Sequence, residues 1–170
     1  NPATAEEIRA WARSHLQPDP HCDGDQADGY RITSLYFDTG NFDVFHRRGS
    51  FGRSKYRIRR YGLGEVAFLE RKLKTKGLLA KRRSILNLNQ LDALHSSPAL
   101  RDSEAFWFHR RILARGLRPI CQIAYRRTAR FAVTDLGPIR LTLDDDLRAL
   151  PLSRLSFDDQ TPSNLVLPEQ

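Results

Sequence analysis

Through its middle, this chain alternates polar and apolar positions with a period of two, the pattern that a half-buried β-strand imposes. Over residues 53–61, Lys55, Arg57 and Arg59 fall on one face, with Tyr56 and Ile58 on the other. Over 68–74, Phe68, Glu70, Lys72 and Lys74 alternate with Leu69, Arg71 and Leu73. A third run over 79–85 sets Lys81 and Arg83 against Arg82. Gly62-Leu-Gly64 and Thr75-Lys-Gly77 supply short connections between these runs, so the three strands are expected to form an antiparallel meander. An earlier strand over 30–38 places Leu35 and Phe37 opposite Ser34, Tyr36 and Asp38. Alternation returns over 120–147. There Ile123, Tyr125, Arg127, Ala129 and Phe131 share a face, and after a Gly137-Pro138 turn Arg140, Thr142 and Asp144 lie opposite Ile139, Leu141 and Leu143.

Helical spacing appears on either side of these strands. Residues 3–16 open with Thr4-Ala-Glu-Glu7, a capping box with Thr4 as N-cap, and then carry Ile8, Trp11, Ala12 and Leu16 on one face. Pro18 and Pro20 stop that helix, and 19–29 is a polar loop whose His21, Cys22, Asp23 and Asp25 show no metal-ligand spacing. Residues 41–48 fit a short helical turn bearing Phe42 and Phe45. Helices are expected within 88–116. A first carries Leu88, Leu91 and Leu94 and stops at Pro98; a second opens at Ser103-Glu-Ala-Phe106, carries Phe106, Ile112 and Leu113, and ends at Gly116, with His109 on its surface. Beyond 147 the tail is irregular, apart from a possible strand start at 164–167. The 170 residues fit one domain, 1–170, of the α+β class.

Charge changes the picture. Fourteen of the 28 Lys and Arg lie between Arg47 and Arg83, against Glu65 and Glu70 alone, and the chain carries a net charge of +8. Like charges directly opposed on neighbouring strands cost about 0.2–1 kcal/mol per pair, so three stacked basic strands call for bulk water or a polyanion. A sheet curled with its charged faces inward and helices over its apolar outside would concentrate positive potential in a lumen suited to phosphates. No GxxxxGK[ST] loop occurs and no Ser-His-Asp or paired-carboxylate arrangement stands out, but phosphoryl transfer needs chiefly positioning and electrostatic stabilisation. A nucleic-acid partner is disfavoured because no exposed aromatic platform accompanies the basic strands. No apolar run approaches the 18 residues of a membrane span. Two cysteines with no CxxC pattern make a reducing, cytoplasmic setting the expectation. The absence of Met and the opening of the chain inside a helix start point to a segment of a longer protein.

Five motifs carry a resemblance. Ser34-Leu-Tyr-Phe-Asp38, Tyr56-Arg-Ile-Arg-Arg-Tyr-Gly62, Phe68-Leu-Glu-Arg-Lys72, Tyr125-Arg-Arg-Thr128 and Ile139-Arg-Leu-Thr-Leu-Asp144 stand in an order and spacing similar to those of the VTC domain. That domain is the catalytic module of the vacuolar transporter chaperone complex, with bacterial relatives, within the CYTH-like triphosphate tunnel metalloenzyme superfamily. The resemblance implies an antiparallel β-barrel tunnel with a basic lumen. It would bind ATP or polyphosphate and, with Mn or Mg, pass the γ-phosphate to a polyphosphate chain. Carried over position by position, it implies Arg57 and Arg59 as catalytic. Lys72, Lys81, Arg83, Arg127 and Arg140 follow as phosphate-binding, and strand alternation adds Lys55 and Lys74 beside them. The family's first strand and its late strand with the metal-binding Glu have no counterpart here, so an incomplete barrel is expected, with no certain metal ligand. Glu70 is a weak metal candidate and is expected to pair with Lys72. Alternatives to polymerisation are triphosphate hydrolysis and sensing of polyphosphate or inositol pyrophosphates without turnover.

Overall fold

A computed structural model describes residues 2–20, 22, 28–96, 101–159 and 164–165. Helix α1 (Pro2–His15) leads through the two-residue β1 (Gln17–Pro18) into β2 (Gly29–Asp38). The meander follows as β3 (Ser54–Tyr61), β4 (Val66–Thr75) and β5 (Leu78–Asn87). A single-turn α2 (Ala93–Ser96) and α3 (Phe106–Ala114) precede the long β6 (Arg118–Thr134) and β7 (Gly137–Pro151), and β8 (Asn164–Leu165) lies against β7. The strand order is β5-β4-β3-β2-β6-β7-β8, with β1 on β6, and every pairing is antiparallel. The sheet curls into a half-barrel with helices on its outside, an incomplete α+β barrel.

Alternation decides which side each residue takes. Leu35, Phe37, Tyr56, Ile58, Ala67 and Leu69 point away from the concave face into a core closed by Phe108 and Ile112 of α3, with Leu91 and Leu94 beside them. Phe108 meets the edges of Phe37 and Tyr56 at centroid distances of 5.5 and 5.9 Å, an arrangement that adds to plain area burial. The tail segment after β7 crosses this same side. Gln122 and Asp158 exchange two hydrogen bonds (2.6 and 3.0 Å), Arg60 binds Asp159 at 2.7 Å, and Leu155 is buried. Gly77 holds a φ of +76° in the two-residue link between β4 and β5, a conformation that suits a residue without Cβ.

Several local expectations change. Helix α1 starts at Pro2, so Thr4 lies inside it rather than at its cap. Only Ala12 and Leu16 of its apolar positions are buried; Trp11 is 50% exposed and stacks on His15. His109 is buried, with a ring nitrogen 2.7 Å from the Leu94 carbonyl, because α3 packs on the turn before it. Leu113 is exposed, and Phe108 fills the core place in its stead. The β6–β7 link is made at residues 135–136, and Pro138 lies within β7, which continues to Pro151. Residues 41–48 form hydrogen-bonded turns, and a 3-10 turn spans Gly49–Arg53. The buried Asp38 carboxylate organises those turns by accepting the backbone N–H groups of Thr39, Val44 and Phe45 at 2.7–2.9 Å. Phe42 and Phe45 then face solvent. Of the loop residues considered for a metal, His21, Asp23 and Asp25 lie outside the described residues, as do Pro98 and residues 166–167.

Candidate functional site

The concave face holds a cavity of about 590 Å³, and strand register writes its lining in rows. In the first row Lys55, Lys72 and Lys81 stand directly opposite one another on β3, β4 and β5. All three are exposed, and no ion pair joins any of them to the described residues. Two residues along each strand, the next row runs Tyr36, Arg57, Glu70, Arg83. Deeper still lie Ser34, Arg59 and Phe68. At the opposite end Tyr30 faces Arg127, which faces Asp144, and Arg140 enters from β7.

Glu70 knits the second row together. Its Oε2 accepts from Arg57 Nε at 2.6 Å, and its Oε1 accepts from Arg83 at 2.6 and 2.9 Å, with Arg59 Nε 4.0 Å away. It therefore pairs with two arginines and not with Lys72, because register places it between Arg57 and Arg83. Burial alone would push its carboxyl up. The charge of Arg57 and the bonds from Arg83 and Arg57 outweigh that and hold it below its ordinary value. On Arg57, burial opposes the charge, yet Tyr36 and Glu70 leave the guanidinium more firmly protonated than usual.

Four tyrosines complete the arginine cradle. Tyr36 accepts from Arg57 (3.2 Å), Tyr125 from Arg59 (3.3 Å), Tyr61 from Arg83 (3.1 Å) and Tyr30 from Arg140 (3.0 Å). Burial pushes the Tyr30 and Tyr125 phenols up, so both stay protonated near neutrality. None of the tyrosines was singled out from sequence as a site residue, although the alternation that placed Tyr36 with Ser34 and Tyr125 with Arg127 held the signal. The far end is balanced by acids. Arg127 forms a two-pronged pair with Asp144 (2.6 and 2.7 Å), and Arg140 lies 2.6 Å from the buried Asp19. The bonds to Asp144 hold Arg127 more firmly charged than an ordinary arginine.

Nine of the residues considered above line the cavity: Lys55, Arg57, Arg59, Glu70, Lys72, Lys81, Arg83, Arg127 and Arg140. Lys74 does not. It lies exposed beside Leu79, one residue from the end of β4, past the lysine row. Arg71 and Arg82 border the cavity as well, although Arg82 stacks its guanidinium on Trp107 (4.5 Å) among the helices.

The sequence model of the VTC domain matches residues 1–168. The chain belongs to the VTC domain family. No curated protein matches the chain. Among solved structures it is similar to a Bacillus halodurans protein described as a candidate adenylate cyclase, with 17% identity and a TM-score of 0.47 over 72% of this chain. The chain spans 61% of that protein's length.

VTC domains sit in a superfamily of triphosphate-binding, metal-assisted phosphoryl-transfer proteins, and the donors here can be tested for a metal. Among the described residues no group of three or more His, Cys, Asp or Glu converges. Glu70, which lines the cavity, and Asp144 and Asp19, which pair with its arginines from behind the lining, are each tied to arginine at about 2.6 Å. These residues do not by themselves fit a divalent metal. Among the described residues no helix is long and apolar enough to cross a membrane.

Proposed function

We propose that this VTC domain binds the phosphate chain of a nucleoside triphosphate or of polyphosphate in its basic cavity and transfers the γ-phosphate to a growing polyphosphate. The directly opposed lysines Lys55, Lys72 and Lys81, backed by the Arg57–Glu70–Arg83 row, carry the reading. Such a ladder is self-repulsive, and an anion of several linked charges is the ligand that relieves it. Arg57 and Arg59 are then the groups that meet the transferred phosphoryl. Glu70 and Tyr36 fix the Arg57 fork, and Ser34 and Tyr125 fix that of Arg59, at 3.4 and 3.3 Å. Charge spreads over the equatorial oxygens as the leaving group departs, and donors already held in place stabilise it without reorganising. Lys72, Lys81 and Lys55 hold the chain by charge in the neighbouring row.

A second reading is a domain that holds polyphosphate or inositol pyrophosphates without turnover, and the arginine-tied state of all three carboxylates favours it. The deciding experiment supplies ATP with Mn or Mg and follows polyphosphate formation and phosphate release, alongside calorimetry with tripolyphosphate. Turnover supports the transferase. Tight tripolyphosphate binding with neither polymer nor phosphate release supports the binding domain. No tripolyphosphate binding by the folded protein sinks both.

A further inference from the structure

The two ends of the cavity differ in how their cations are balanced. At the first end, among the described residues, three lysines and the arginines of β3 and β5 that line the cavity face Glu70 alone. At the other, each arginine has its own carboxylate: Arg127 has Asp144, and Arg140 has Asp19. On β2 the register places Tyr36 beside Arg57 and Tyr30 beside Arg127. Six residues of strand put roughly 20 Å of backbone between those rows, and Tyr125 bridges the space, its hydroxyl 3.3 Å from Arg59 and its ring 5.3 Å from the Arg127 guanidinium.

We infer that the cavity is electrostatically polarised, with Asp144 and Asp19 acting as internal competitors for Arg127 and Arg140, so that a long phosphate chain is gripped at the lysine end and let go at the arginine end. The inference rests on the polyphosphate reading of the same cavity. Asp144 already takes the Nε and Nη2 prongs of Arg127, so a phosphate arriving there meets a neutralised guanidinium and must displace the carboxylate or bind beside it against its charge. The Asp144 side chain is 39% exposed, so it can turn to water, but it stays tethered next to the phosphate it has yielded to, repels it and reclaims the guanidinium. Asp19 is only 6% exposed and cannot rehydrate without moving the connector after α1, so it yields Arg140 less readily. At the lysine end no carboxylate of the described residues pairs with Lys55, Lys72 or Lys81, and a phosphate there gains charge contacts without giving any up. The two aspartates thereby select for chain position: they leave a short phosphate chain at the first end untouched and weaken only a chain that runs the length of the cavity.

The experiment measures affinity and dissociation rate for tripolyphosphate and for long-chain polyphosphate on the wild type, Asp144→Asn and Asp19→Asn. Asp145→Asn serves as control, since it removes the carboxylate beside Asp144 that pairs with Arg9 at 2.6 Å away from the cavity. Asp144→Asn is expected to tighten long-chain binding by about tenfold, mainly through slower dissociation, and to change tripolyphosphate binding by less than about threefold. Asp145→Asn leaves both unchanged. Unaltered or weaker long-chain binding in Asp144→Asn, with a native circular dichroism spectrum, overturns the inference, as does an equal gain for both ligands. Should Asp19→Asn fail to fold, the exposed Asp144 site decides alone. A wild type that binds neither polyphosphate overturns the functional reading beneath it, an outcome separate from the others.

Discussion

Burial should decide how much each cation of the cavity contributes to holding phosphate, and Lys72 and Arg59 give the sharpest contrast. Lys72 is exposed, whereas Arg59 is 6% exposed and fixed by Ser34 and Tyr125. A unit charge about 4 Å from a phosphate contributes about 1 kcal/mol in a water-like medium and about 4 kcal/mol where the effective dielectric constant is near 20. Lys72→Ala should therefore weaken tripolyphosphate binding by about fivefold, and Arg59→Gln, which keeps volume and removes charge, by several hundredfold, at about 1.4 kcal/mol per tenfold. Salt sharpens the contrast. Screening acts over about 8 Å at physiological ionic strength, so raising salt should erase most of the Lys72 effect and leave most of that of Arg59. Isothermal calorimetry at two salt concentrations measures all four numbers. Comparable losses for the two variants, or a salt-insensitive Lys72 effect, would refute the assignment of strength by burial.

Three further outcomes follow from the geometry. If the proposed transferase activity holds, Arg57→Ala should lower ATP-to-polyphosphate turnover by about two to four orders of magnitude and change nucleotide affinity less, because the proposal has its fork meet charge that grows in the transition state; steady-state kinetics separates the two. Glu70 has a folded pKa below its ordinary 4.5, so the stability it contributes is complete above that value and is lost as pH falls through the folded pKa. Urea titrations below pH 5 should show wild type losing stability faster than Glu70→Gln. Asp38→Ala strips three backbone N–H groups of their buried acceptor and should cost about 3 kcal/mol in denaturant unfolding, with the turns at 41–48 gaining hydrogen-exchange rate.

The rows of the cavity were legible from alternation because a strand obliges Lys55, Arg57 and Arg59 to share a side whatever surrounds them. What alternation lacks is register. It could not say that Glu70 lies between Arg57 and Arg83, so a neighbour on its own strand, Lys72, was the natural expected partner. It also carried Lys74 one step too far, since periodicity marks a face without marking where a cavity stops. Arg82 was expected to stand apart on the opposite side. It does stack on Trp107 there, yet it borders the cavity too. The acids of the far end were hidden for a different reason. Asp19 reaches Arg140 across more than a hundred residues, from a connector whose composition looks like any polar loop. The helices gave up their caps and buried faces less readily than the strands: His109 is inside because of what α3 packs against, which its own neighbours in sequence do not encode.

The position of β5 in the sheet has a consequence for how this protein behaves in company. Among the described residues it is the terminal strand, ten residues long and paired on one side only, with Leu78, Leu79 and Ile85 exposed at 71%, 49% and 58%. A long, partly apolar edge is a template on which a second chain can add. What keeps two such edges apart is Lys81, Arg82 and Arg83 at the strand's centre, where antiparallel self-pairing would bring like charges face to face. The cations to which polyanion binding is assigned in the proposed function thus also guard the edge. Phosphate chains abundant enough to neutralise them would relax that guard, tying the solubility of the domain to the supply of its proposed ligand.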